Sequence, residues 1–265
     1  MLIDTHTHLF LEDFDDDREQ MMKRAIENDV RYFFLPNIDS SSIESVWSMT
    51  KTYPQNCFAL MGLHPVSVKD NFESELETIQ QQFDERGSAN GDQKIYGIGE
   101  IGLDLYWDKS WFEQQKEALI YQIRIAKKQK LPIILHSRDS FKELADIIEQ
   151  EKDESLEGVF HCFTGSVDDA KRVAELGFYM GIGGVATFKN GGLDKTLPSV
   201  DLAHLVLETD SPYLAPMPYR GKRNESSYIL NIAEKVAEIY GMRVEEVAAV
   251  TTKNAMELFS LNPDP

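Results

Sequence analysis

Five times along this chain a short apolar stretch stops at a side chain able to ligate a divalent metal. Leu2-Ile3-Asp4-Thr5 leads into His6-Thr7-His8, and Lys94-Ile95-Tyr96-Gly97-Ile98-Gly99 leads into Glu100. Leu131-Pro132-Ile133-Ile134-Leu135 stops at His136, Gly158-Val159-Phe160 at His161, and Leu205-Val206-Leu207-Glu208-Thr209 at Asp210. Short runs rich in β-branched or aromatic residues, followed by polar or turn-prone segments, read as buried strands. Residues i and i+2 of a strand share a side, so His6 and His8 are expected to project together and form half of a metal site. Polar residues at strand ends are often satisfied by loop backbone. That account is weaker for four imidazoles and two carboxylates that all stand at the same kind of position.

Strand-like segments are read at 2–7, 30–36, 57–63, 94–100, 131–137, 157–162, 177–183 and 203–209. Helical segments fall between them. One runs from Phe112 to Lys130 with Phe112, Leu119, Ile123 and Ala126 on one face, and another from Val167 to Leu176 between Ser166 as N-cap and Gly177 as C-cap. Eight such pairs in 265 residues predict an α/β chain folded as a (β/α)8 TIM barrel, a single domain over 1–265. An open doubly wound sheet is the alternative. The ligands would come from the first, fourth, fifth, sixth and eighth strands, and only a closed ring makes the first and eighth neighbours. Gly87-Ser88-Ala89-Asn90-Gly91 reads as a surface loop away from the ligands, and the proline-rich stretch from Ser211 to Tyr219 as an irregular loop over the site.

Hydrophobic residues make up 42% of the chain, enough for a substantial core, yet no stretch approaches the ~20 apolar residues of a membrane span. No signal peptide is visible, and two cysteines, Cys57 and Cys162, build no disulfide framework. A reducing cytoplasm is the expected location. Strand alternation is expected to point Cys162 away from the ligand side, which removes it from the ligand set. The formal net charge of -18 argues against coating nucleic acid with a broad basic face. It leaves room for a nuclease that holds a few phosphates through metal and local cations.

Six ligand groups exceed what one tetrahedral metal needs and suit two divalent ions bridged by a carboxylate and water. Glu100 is the expected bridge; His6 and His8 would share one ion with Asp210 nearby, and His136 and His161 the other. Such a pair acidifies the bridging water and clamps the charge of the transition state. Asp210 is placed to take the proton of the attacking water. The mixed donor set suits Zn, Mn, Fe or Co, with Mg admissible if fewer imidazoles engage.

Several of these segments also resemble a known family. Ile3-Asp4-Thr5-His6-Thr7-His8, Gly62-Leu63-His64-Pro65, Gly97-Ile98-Gly99-Glu100-Ile101-Gly102-Leu103-Asp104, Leu135-His136-Ser137-Arg138, Phe160-His161-Cys162-Phe163-Thr164-Gly165 and Glu208-Thr209-Asp210-Ser211-Pro212 together resemble the TatD family of metal-dependent deoxyribonucleases, within the amidohydrolase superfamily. The resemblance runs from residue 3 to about residue 258. It implies a (β/α)8 barrel, a divalent metal centre and phosphodiester hydrolysis, often of the 3′ exonuclease type on DNA. It assigns His6, His8, Glu100, His136, His161 and Asp210 as metal ligands and sets His64 near the substrate phosphate. Where many binuclear amidohydrolases carry a carboxylated lysine, this chain has Glu100, which favours the TatD branch. Arg223-Asn224-Glu225 also resembles a family motif, but Ser226 stands where the family usually has proline.

Other residues are candidates for holding substrate. Arg138 is expected either to bind phosphate or to brace the site against a carboxylate. Arg220, Lys222 and Arg223 form the densest cationic cluster after the last ligand, and Lys222 and Arg223 are expected to face phosphate. Tyr106 and Trp107 could stack a base or pack as a lid. His204, at the other end of its strand, is structural. The expectation is a hydrolase of phosphodiesters with DNA as substrate, as single strands or 3′ ends, and no membrane or obligate protein partner. The alternative is an amide or ester hydrolase acting on a small molecule or an aminoacylated nucleotide, since the same centre activates water for attack on a carbonyl.

Overall fold

The computed structural model describes residues 1–86 and 94–261; the segment Gly87–Gly91, read above as a loop, lies outside the described residues. In chain order the elements are β1 (Leu2–Asp4), α1 (Arg18–Glu27), β2 (Val30–Pro36), α2 (Ile43–Thr52), β3 (Cys57–Met61), α3 (Phe72–Arg86), β4 (Ile95–Asp104) and α4 (Phe112–Gln129). There follow β5 (Ile133–Arg138), α5 (Phe141–Glu151), β6 (Gly158–Phe160), α6 (Val167–Glu175), β7 (Tyr179–Ile182), α7 (Leu193–Thr196), β8 (Leu205–Leu207), α8 (Ile229–Tyr240) and α9 (Val244–Leu258). The eight strands follow one another in chain order across one sheet. Each described pairing is parallel. The first strand and the last are neighbours: the Thr5 N–H donates to the Leu207 carbonyl at 3.1 Å, and the Asp210 N–H to the His6 carbonyl at 2.9 Å. This is the (β/α)8 TIM barrel fold, and the open-sheet alternative is excluded.

The chain divides into two compact units, one of Met1–Leu35 with Cys162 onward and one of Pro36–His161. In the first, Leu2, Ile3, Phe33, Phe34, Met180, Val206 and Leu207 are buried. In the second, β3 is buried at every position. Strands buried on both faces, by helices outside and by side chains of neighbouring strands inside, read as continuous apolar runs, which is why the pattern here lacks alternation. Helix signals act as expected at α6, where Ser166 and Asp169 form a reciprocal capping box and Gly177 follows at φ +71°.

Two strand boundaries differ from expectation in ways that matter for the site. β1 stops at Asp4, because Thr5 turns to bond β8 and the Thr7 N–H bonds the Phe34 carbonyl. His6 and His8 therefore stand in an irregular bend and not on a strand. β4 instead runs past Glu100 to Asp104, paired with β5 from Ile101↔Leu135 to Asp104↔Arg138. Gly102 makes this possible: at φ +147°, a Cβ there would come within 2.0 Å of the His136 carbonyl oxygen.

Candidate metal centre

In the first unit, the bend after β1 brings His6 Nε2 and His8 Nε2 to 3.3 Å from each other. Asp210 Oδ1 lies 3.7 Å from the former and 3.5 Å from the latter. His6 and His8 are buried, and His8 is flanked edge-on by Phe10 and Tyr213. Three ligand-type atoms thus converge, although the route is a bend and not strand alternation. Asp210 has φ +55°, a left-handed conformation held from both sides. Its own N–H bonds His6, and the Asn224 side-chain amide donates to the Thr209 and Tyr213 carbonyls at 2.7 Å each.

Beneath this group sits a carboxylate to which the sequence reading gave no role. Asp4 Oδ1 accepts the Thr209 N–H at 2.9 Å, and Oδ2 accepts the hydroxyls of Thr209 and Ser226 at 2.6 Å each. Burial pushes the Asp4 carboxyl up to about 7, against the hydrogen bonds from Ser226 and Thr209 that favour the anion. Ser226 therefore supplies a hydroxyl that proline could not.

Glu208 was also missed. It is fully buried, its Oε1 accepts the Cys162 N–H at 2.6 Å, and it offers an atom within 4.8 Å of one on His6. A Cβ at Gly181 would meet Glu208 Oε2 at 2.1 Å, so glycine leaves the carboxylate its room. Cys162 is a correction. It lies past the end of β6 at φ +47°, so alternation does not govern it, and its sulfur comes within 4.8 Å of an Asp210 oxygen.

In the second unit, Glu100 is the hub. Its Oε1 lies 2.8 Å from His136 Nδ1, 3.4 Å from His64 Nε2 and 3.6 Å from His161 Nε2. The His161 ring runs nearly parallel to that of His136, with centroids 6.4 Å apart. The opposite nitrogen of His136, Nε2, lies 2.9 Å from Asp104 Oδ2. A carboxylate on the far nitrogen is how a metal-binding imidazole is oriented. Burial disfavours a charged His136, but Asp104 and Glu100 on its two nitrogens outweigh this and raise its pKa. For Asp104, burial is likewise outweighed, here by His136 and by the Trp107 and Tyr106 N–H groups, and its pKa falls. The signal for both overlooked acids, Asp4 and Asp104, was a carboxylate inside an apolar run within four residues of a candidate ligand.

His64 is set apart by its tautomer. Its Nδ1 accepts the Val66 N–H at 3.1 Å, so in the neutral ring Nε2 carries the proton and is a donor. That suits a hydrogen bond to an acceptor better than a bond to metal. Arg138 and Arg223 have partners of their own. Arg138 lies over the Tyr106 ring at 4.6 Å. Arg223 is committed to Asp17 by two bonds of 2.6 and 2.9 Å, to the Asp13 carbonyl at 2.7 Å, and over the Phe14 ring at 4.6 Å. Lys222 and Arg223 line a cleft with Arg24, Tyr219 and Tyr228, and none of the six ligand candidates lines it. Arg223 is thus a brace between α1 and the segment after β8, where a phosphate contact was expected.

The donor chemistry fits a borderline divalent ion: His6, His8 and Asp210 in one unit, and Glu100 and His136 in the other, are imidazole and carboxylate with ligand-type atoms converging. No helix of the described residues is long and apolar enough to cross a membrane.

The family model described as TatD related DNase matches residues 3–260. An uncharacterized metal-dependent hydrolase, YabD, of Bacillus subtilis (strain 168) is 39% identical over 263 residues, covering 99% of this chain and 100% of that protein. A second, YcfH of Escherichia coli (strain K12), is 32% identical over 267 residues, covering 98% of this chain and 96% of that protein. Among solved structures, YjjV, a TatD homolog from E. coli K12, superposes with a TM-score of 0.91 at 30% identity, with 98% of each chain covered.

Proposed function

Because the chain belongs to the TatD family of metal-dependent hydrolases, we propose that it hydrolyses phosphodiesters, DNA foremost, working from free 3′ ends of single strands in a reducing cytoplasm. The observation that carries this reading is the Glu100 cluster, a buried carboxylate faced by His136 and His161 with the donor nitrogen of His64 beside it. His6, His8 and Asp210 would hold one divalent ion, and Glu100, His136 and His161 a second. Bound there, such ions acidify water and stabilise charge on a phosphoryl oxygen.

The chain's own groups supply the rest. The Asp210 carboxylate accepts the proton of the attacking water. His64 donates its Nε2 proton in a hydrogen bond to a non-bridging phosphoryl oxygen, where negative charge grows. Asp104 holds His136 in one orientation, Asp4 fixes the backbone at Thr209, and Asn224 holds the carbonyls on either side of Asp210. Cys57 and Cys162 are thiols outside any disulfide, which suits the reducing location.

The test is a purified, metal-reconstituted protein offered single-stranded DNA, RNA, an aryl phosphodiester and N-acyl amides. Chelator-sensitive loss of nucleotides from the DNA 3′ end supports the reading. Turnover of amides or esters, with every diester left intact, replaces it with the carbonyl hydrolase alternative.

A further inference from the structure

The turn that follows β4 leaves two aromatic rings in water. Trp107 is 72% exposed and Tyr106 52%. Their rings meet edge to face with centroids 5.0 Å apart, and the Arg138 guanidinium covers Tyr106. Among the described residues Arg138 makes no ion pair. A single exposed ring needs no explanation, but this turn is built around a buried acid. Asp104 is 2% exposed, and its Oδ1 accepts both the Tyr106 N–H at 2.9 Å and the Trp107 N–H at 3.0 Å. Its Oδ2 holds His136 at 2.9 Å. Gln115 clamps the Asp104 backbone from both sides, donating to its carbonyl and accepting its N–H. The Leu105 N–H ties the turn to the Arg138 carbonyl at 2.9 Å. One carboxylate therefore fixes a ligand imidazole with one oxygen and the aromatic turn with the other.

We propose that the Tyr106–Trp107 turn, with Arg138, is a stacking platform for a base of single-stranded nucleic acid, and that Asp104 is the positioning residue that sets this platform in register with His136. The choice of ligand rests on the phosphodiesterase reading above. Indole and phenol faces stack any base, and a guanidinium beside them adds a cation for phosphate or for the base face. On a chain with net charge -18, affinity that does not depend on long-range attraction is what a nucleic-acid ligand requires. In the chain the two rings are followed directly by the polar Asp108, Lys109 and Ser110, and Arg138, which covers Tyr106, by Asp139. Two exposed rings flanked in the chain by charged and polar residues do not make the contiguous apolar face that a protein partner buries.

The test compares anisotropy titrations of a labelled oligothymidylate and of the same backbone with abasic residues, without turnover, together with a titration of Mn²⁺ alone. The wild-type protein should prefer the base-bearing strand by about tenfold. Trp107→Ala should lose most of that preference, and Trp107→Phe should keep it. Asp104→Asn keeps an oxygen for the turn but replaces the acceptor that faces His136. It should retain the base preference while binding Mn²⁺ about tenfold more weakly. Asp104→Ala should lose both. An unchanged preference in Trp107→Ala overturns the platform, as does a change of oligomeric state in that variant with the preference intact. Equal loss of both properties in Asp104→Asn and Asp104→Ala overturns the division of labour between the two oxygens. Base preference in a protein that cleaves no diester keeps the platform and sinks the phosphodiesterase reading instead.

Discussion

At the scale of single residues, Asp210 and His136 should fail in different ways. An amide at position 210 can still coordinate through its oxygen but accepts no proton. Asp210→Asn is therefore expected to cost about 10²-fold in turnover with metal content near that of the wild type, whereas His136→Ala should lower metal content itself. Parallel measurement of kcat and bound metal separates them; near wild-type kcat in Asp210→Asn removes it as the base. Ser226 offers a second residue-scale test. The native Asp4 carboxyl titrates near 7, above the ordinary carboxylate value, so the folded state holds an extra proton between about pH 4 and 7. Stability from this group accordingly falls as pH rises through that window. Ser226→Ala removes one of the donors that favour the anion, so Asp4 should shift further upward and the cost, about 1–3 kcal/mol, should be larger at pH 8 than at pH 5. Denaturant unfolding at the two pH values reads it, and equal losses would show that Ser226 does not act through the charge on Asp4.

At the scale of elements, an ionic brace joins α1 to the segment after β8. Arg223 and Arg24 share Asp17, and Arg24 also pairs with Glu225 through bonds of 2.9 and 2.6 Å. The Arg223 hydrogen bonds hold the Asp17 carboxyl down at about 2, with Arg24 adding to the effect. A depressed carboxylate contributes stability that is complete above its unfolded pKa near 4 and is lost as pH falls through about 2. Asp17→Asn should therefore lower stability at neutral pH and flatten the acid-side loss between about pH 4 and 2. The groups are about one-third exposed, so water screens them and the neutral-pH cost should be about 1 kcal/mol. Arg223→Ala should behave alike, with little change in the salt dependence of DNA binding. A large change in salt slope with stability intact would restore Arg223 as a phosphate contact.

At the scale of the whole molecule, net charge dominates encounter with a polyanion. With -18 spread over 265 residues, a long duplex is repelled wherever it extends past the site, and a short single strand much less. The kcat/KM for a short strand with a free 3′ end should exceed that for internal sites in duplex DNA. The gap should narrow as salt rises, because the repulsion is screened over about 8–10 Å at ionic strengths near 0.1–0.15 M. Initial rates across a salt series check this, and equal rates on both substrates at all salt concentrations would rule it out.

The alternation of eight apolar runs with amphipathic helices, and the imidazoles and carboxylates that end those runs, are properties of local sequence. They sufficed for the fold class and for the convergence of His6, His8 and Asp210, and of Glu100, His136 and His161. Strand ends were less legible, because ladders stop where the backbone finds another partner, as Thr5 does on Leu207, or continue where a glycine permits close approach, as Gly102 does. Side-chain commitments were not legible at all. Arg223 meets Asp17 from 206 residues away, Asp4 meets Ser226 across 222, and Asp104 meets His136 across 32. A charged group's role depends on which partner comes within about 3 Å and on how much water is excluded there. Composition and spacing carry neither quantity, so the chemical alphabet of the candidate site was readable from the chain, while the pairing of its charged groups with one another, as in Arg223 with Asp17 or Asp104 with His136, arose only with packing.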